Sequence, residues 1–147
     1  FDAVTQATGS KENFTGLPEG SRALQTWNHK LDSEFMDAFG RPNSSAECPC
    51  ERDARPSMVQ ALHMMNSTKL NAKVTAGNGR ARLLAASKAT EEQIVTDLYL
   101  STYSRRPTTV ELALAQKAFA ARDATRQSAV EDILWALLNS AEFVFNH

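Results

Sequence analysis

The densest run of reactive side chains is Glu47-Cys48-Pro49-Cys50-Glu51-Arg52-Asp53-Ala54-Arg55, with two sulfurs two residues apart among five charges. Three chemistries fit it. The first is structural: a local bridge or a pair of packed thiols beside a Glu51/Arg52 ion network, with Arg41 as a further partner. A ring closed across one residue removes little denatured-state entropy, so such a bridge stabilises weakly. The second is thiol–disulfide exchange, because a strained small ring is a better oxidant and a neighbouring Arg lowers a thiol pKa. The third is a soft-metal site, but zinc usually takes four ligands and only His29, His63 and His147 could add nitrogen. No metal is assigned on that basis. His63, beside Met64 and Met65, reads first as a partly buried histidine. It becomes a ligand or proton carrier only if the N-terminal segment folds back toward it.

Other motifs are weaker. Gly77-Asn78-Gly79-Arg80 looks loosely like a phosphate loop but lacks the required Lys-Ser/Thr and a preceding strand, so it reads as a helix stop followed by a helix start. There is no Cys-x-x-Cys-His for haem, no Gly-x-Ser-x-Gly and no His-Glu-x-x-His. Glu91/Glu92 and Glu131/Asp132 are sequence neighbours, so each pair diverges around a helix. No catalytic residues and no cofactor are expected. Arg80, Arg82, Arg105 and Arg106 are candidates for a basic patch or for pairing with Glu91, Glu92 and Asp97.

These residues need a scaffold, and its size is that of one domain: 147 residues, 42% hydrophobic and 22% charged. A net charge of −1 argues against a nucleic-acid binder that works by bulk charge. No apolar stretch approaches the roughly 18 residues of a membrane span. A chain beginning at Phe1 without a signal peptide suggests a mature or excised fragment.

The chain divides unequally. Residues 1–56 hold four of the six glycines and four of the five prolines and carry −3, against +2 for residues 57–147. The first part predicts a long irregular arm with turns at 16–20, an extended piece at 23–27 and a short helix at 33–39. Its large apolar groups, among them Phe14, Leu24 and Trp27, predict that it packs on its neighbour. From 57 the spacing of three and four residues predicts helix after helix: 57–66, 69–76, 81–86, 90–103, 108–119 and 128–138, then a last turn at 140–145. Thr90-x-x-Gln93 and Thr108-x-x-Glu111 are capping boxes. Val130, Ile133, Leu134, Leu137 and Leu138 should face inward, as should Ile94, Val95, Leu98, Tyr99 and Tyr103. Leu112, Leu114, Ala115, Ala118 and Phe119 form the apolar set of 108–119. The fold class is all-α: a compact bundle of about six helices behind an irregular arm, one domain over 1–147.

Several segments in order carry a resemblance: 2–9 (Asp-Ala-Val-Thr-Gln-Ala-Thr-Gly), 16–23 (Gly-Leu-Pro-Glu-Gly-Ser-Arg-Ala), Phe39-Gly40-Arg41-Pro42, Cys48-Pro49-Cys50-Glu51-Arg52, Gln60-Ala61-Leu62-His63-Met64-Met65-Asn66, Gly79-Arg80-Ala81-Arg82-Leu83-Leu84, Arg105-Arg106-Pro107-Thr108 and Trp135 to Phe143. Together they resemble the planctomycete-specific domain of unknown function that forms the C-terminal part of large secreted planctomycete proteins. Asp53 stands where a small Ser is the more typical residue. The resemblance implies a secreted, periplasmic or cell-surface location, and partners in upstream domains of the same polypeptide, including a cytochrome c-like domain. It implies no reaction. In an oxidising compartment Cys48 and Cys50 are expected to be disulfide-bonded to each other. The expected function is a non-catalytic interaction or docking module of a secreted bacterial protein, with the arm as contact region. The alternatives are a thiol–disulfide site at Cys48/Cys50 and an accessory domain for electron transfer to a cytochrome.

Overall fold

Local chemistry starts each long helix. Thr90 accepts from the Gln93 amide and the Gln93 side chain accepts from the Thr90 amide. The same reciprocal box joins Thr108 to Glu111 and Thr125 to Ser128. Each box satisfies two backbone donors that the first turn of a helix leaves without partners.

The structure is a computed structural model and describes residues 2–11, 14, 18, 20–25 and 65–146. Its elements are α1 (Asp2–Thr8), a 3₁₀ turn (Ala23–Gln25), α2 (Thr68–Val74), α3 (Arg80–Ala86), α4 (Glu91–Tyr103), α5 (Thr109–Phe119), α6 (Arg126–Leu138) and α7 (Ala141–Asn146). No strand occurs among the described residues, and the chain is all-α.

Helix α6 is the centre. It packs against α2, α3, α4, α5 and α7. Ala129, Val130, Ile133, Leu134, Leu137 and Leu138 are buried on it, and α4 adds Ile94, Val95, Leu98 and Tyr99. Fully burying one such large side chain is worth about 1.5–3 kcal/mol, so these two helices supply most of the core. Leu70 and Val74 of α2, Ala81 of α3 and Phe143 of α7 extend the same core. Val4 and Ala7 of α1 join it where α1 packs against α2, α3 and α4.

The structure differs from the sequence reading in detail. The arm starts with a helix, α1. Seven residues are far below the length at which a helix is stable alone, so α1 depends on docking Val4 and Ala7, a signal too short to read from periodicity. Residues 23–25 form a 3₁₀ turn instead of an extended piece, and the Ala23 amide donates to Asp2 Oδ1 at 2.8 Å. Helix α6 begins at Arg126 with Thr125 as its cap; Ser128 is the third residue of the box, where a Glu or Gln usually stands. Helix α2 begins at Thr68, one residue before the expected 69, with Ser67 as its cap. Met65 and Asn66 are helical, as expected for the end of 57–66; the rest of that helix and the one expected at 33–39 lie outside the described residues. Leu114 points outward instead of joining the apolar set of α5, and Phe145 is also exposed.

Candidate functional site

Two arginine-centred clusters and one exposed face are the places where this fold gathers chemistry. The first cluster follows from the end of α4. Ser104 closes that helix in the left-handed conformation (φ 57°), and the next residue turns back over the helix. The Arg105 guanidinium lies 5.5 Å from the Tyr99 ring centroid and 5.3 Å from that of Tyr103. The rings themselves meet edge to face at 5.4 Å. Arg105 donates two hydrogen bonds to Glu111, at 2.8 and 3.0 Å, and two to Glu142, both at 2.7 Å. Such two-pronged pairing suits the planar guanidinium fork. Tyr103 Oη donates toward Ser140 Oγ (2.6 Å) and the Leu137 carbonyl (3.0 Å). Ser140 Oγ in turn accepts from the Phe143 amide at 3.1 Å, capping α7.

The electrostatics follow from this geometry. Hydrogen bonds from Arg105, then the Thr108 amide, hold the Glu111 carboxyl down at about 2. Arg105 likewise lowers Glu142, and the two carboxylates raise Arg105 in return. Burial, then the charge of Glu111, pushes the Tyr99 hydroxyl up to about 12; burial also raises Tyr103. At neutral pH the carboxylates are therefore ionised, Tyr99 is protonated, and every guanidinium nitrogen donates to a partner. The cluster is built to hold the α4–α5 connection, the start of α5 and the C-terminal helix together.

The second cluster holds α1. Arg80, the first residue of α3, donates from Nε to the Ala7 carbonyl (2.9 Å) and from Nη2 to the Gln6 carbonyl (3.5 Å). Its Nη1 donates to Asp97 on α4 at 2.8 Å. On the other side, Lys73 of α2 donates to Ser10 Oγ at 3.4 Å, and Ser10 Oγ lies 2.8 Å from Thr8 Oγ1. Thr8 donates to the Val4 carbonyl at 2.8 Å. With that proton spent, the serine proton points to Thr8 and away from Lys73. The relay therefore ends on a carbonyl, the reverse of what a lysine-activated nucleophile requires. Two cations at the C-terminal end of α1 instead complement its dipole. Close approach favours glycine here: a Cβ at Gly79 would stand 3.1 Å from the Ala76 carbonyl oxygen and 3.3 Å from that of Thr8.

The third feature is the outer side of α5. No residue of this helix is buried. Leu112, Ala115, Ala118 and Phe119 lean on the core, while Val110 and Leu114, one turn apart, are 76% and 64% exposed.

The residues singled out by sequence alone, Arg41, Cys48, Cys50, Glu51, Arg52 and His63, lie outside the described residues, and so does the expected Cys48–Cys50 bridge. Three of the four arginines considered as one basic patch, Arg80, Arg82 and Arg105, are divided between separate partners. Arg80 takes Asp97, as anticipated; Arg105 takes Glu111 and Glu142; Arg82 donates to Gln127. Glu142 was not legible as a partner, because 37 residues separate it from Arg105. Glu111 was legible only as a cap. Among the described residues no group of three or more His, Cys, Asp or Glu could hold a metal ion. Among them, too, no helix is long and apolar enough to cross a membrane.

Among the described residues the polar clusters of this helical bundle join one helix to another. The family model PSD1, described as a protein of unknown function (DUF1553), matches residues 5–119, and the chain belongs to that family. The resemblance drawn from the ordered motifs is thereby confirmed at the level of a domain of unknown function. No curated protein and no solved structure matches the chain.

Proposed function

We propose that this chain is a helical interaction module of an exported multidomain protein, and that the outer face of α5 receives a neighbouring domain of the same polypeptide. The observation that carries this reading is the pair Val110 and Leu114, both largely exposed and one turn apart on a helix none of whose residues is fully buried. Leaving large apolar groups in water is unfavourable, and a covering surface removes the cost. The size of the face favours a tethered occupant. Eleven residues make a helix roughly 16 Å long. That is too little for the roughly 800 Å² per partner of a stable free complex. A linked domain, present at an effective concentration in the millimolar range, needs far less intrinsic affinity. The family resemblance, with its upstream domains and export, supports the same occupant and location.

The test is a titration of this chain with the separately expressed upstream domain, comparing wild type with Val110→Glu/Leu114→Glu. The double variant should bind at least about tenfold more weakly, because carboxylates would have to be desolvated against an apolar surface. It should keep its helical content. Equal binding by both chains would contradict the assignment of α5.

A further inference from the structure

We infer that Asn78 is a site of spontaneous deamidation, and that the seam between α1 and α3 holds the reaction in check. Gly77-Asn78-Gly79 lies in the connection from α2 to α3. An Asn followed by Gly cyclises with the least steric hindrance, because the following residue has no Cβ. The Gly79 nitrogen bonds to Asn78 Cγ, the Cγ–Nδ2 bond breaks, and ammonia leaves with the amide proton. Water then opens the cyclic imide at either carbonyl, giving aspartate or an isoaspartyl linkage. Water is the only other reactant.

The structure supplies both the opportunity and the restraint. Asn78 is exposed, so water reaches it, whereas Gly79 is buried. The Gly79 amide, the attacking nitrogen, donates to the Ala76 carbonyl at 2.9 Å. It must release that proton before it can attack, so the turn has to open first. Helix α1 opposes the opening. A Cβ at Gly79 would stand 3.3 Å from the Thr8 carbonyl oxygen, and one at Gly9 would stand 3.3 Å from the Arg80 amide nitrogen. The end of α1 and the start of α3 therefore meet backbone to backbone, and Arg80 Nε donates to the Ala7 carbonyl at 2.9 Å across the seam. An isoaspartyl linkage carries the main chain through Cβ and Cγ, which lengthens it by a carbon between residues 78 and 79. So close a seam has no slack for that extra atom, whereas aspartate leaves the backbone unchanged. Deamidation by the isoaspartyl route therefore undocks α1.

The chain is incubated at neutral pH, folded and in guanidinium chloride, then cut with trypsin, and the mass of peptide 74–80 is followed. Asn78 should deamidate at least about tenfold more slowly in the folded chain, the cost of opening one buried hydrogen bond. Val4→Asp removes a buried anchor of α1 and should speed the folded reaction several-fold, with amide exchange of α6 showing that the bundle persists. In the aged protein, the isoaspartyl fraction should exchange the amides of Gln6, Ala7 and Thr8 faster than Asn78→Asp does. Equal rates in folded and unfolded wild type would overturn the inference. So would a folded Val4→Asp that reacts at the wild-type rate, or α1 exchanging alike in the isoaspartyl fraction and in Asn78→Asp.

Discussion

Helices α5 and α6 begin alike and end up in opposite roles. Both open on a threonine capping box, and they follow each other in the chain. Yet α6 buries six residues and α5 none. The cap decides that a helix starts; the side chains around it decide whether it becomes core. On α6 the apolar residues recur on one side from Val130 to Leu138 and meet five other helices. On α5 the apolar residues are spread around the axis, so half lean on α4 and α6 while Val110 and Leu114 remain outside. A helix that is anchored and still shows leucine to solvent is suited to receive something else.

Substitutions should separate the two helices most clearly in the core. Leu134→Ala on α6 removes a fully buried side chain and should cost about 2–5 kcal/mol of unfolding free energy, read from denaturant unfolding. A cost under about 1 kcal/mol would mean that α6 is not the centre. The caps should be equal where the cores are not: Thr125→Ala and Thr108→Ala should each cost about 1 kcal/mol. A much larger loss for Thr108→Ala would show that its box also supports Arg105.

Acid probes the anchor of α5 and not the core of α6. Glu111 is held near 2 against an ordinary value of 4.5, and Glu142 is lowered in the same sense. A depressed carboxylate contributes its full stabilisation above the ordinary value and loses it as pH falls through the depressed one. The stability should therefore drop between about pH 4.5 and 2. Glu142→Gln should flatten that drop, measured as the unfolding midpoint against pH; an unchanged slope would remove the Arg105 cluster from the account. The smallest effect is expected at Leu114→Ala, within about 0.5 kcal/mol, because the side chain is largely in solvent.

Much of this architecture was legible. Thr90-x-x-Gln93 and Thr108-x-x-Glu111 located α4 and α5, since a capping box is a contact between near neighbours. The apolar spacing of Val130 to Leu138 located the inner face of α6. Thr125-x-x-Ser128 was passed over because serine is an unusual third member of a box. Helix α1 was missed because seven residues show barely two turns of pattern, and its stability comes from contacts with Arg80 and Lys73, which lie 60 residues or more along the chain. The same distance effect hid Glu142 from Arg105. The apolar set of α5 was legible, but which of its members face solvent was not; only the position of the neighbouring helices separates exposed Leu114 from Leu112 and Ala115.

The exposed face of α5 is the centre of the account, and side-chain oxidative footprinting of Val110 and Leu114 tests it most directly. The labelling rate of both residues is compared between this chain alone and this chain joined to the proposed upstream domain. The account predicts rapid labelling in the isolated chain and strong protection of both residues in the larger protein, with buried Leu134 slow in each. Equal, rapid labelling of Val110 and Leu114 in both would show that no neighbouring domain covers α5 and would contradict the proposed role.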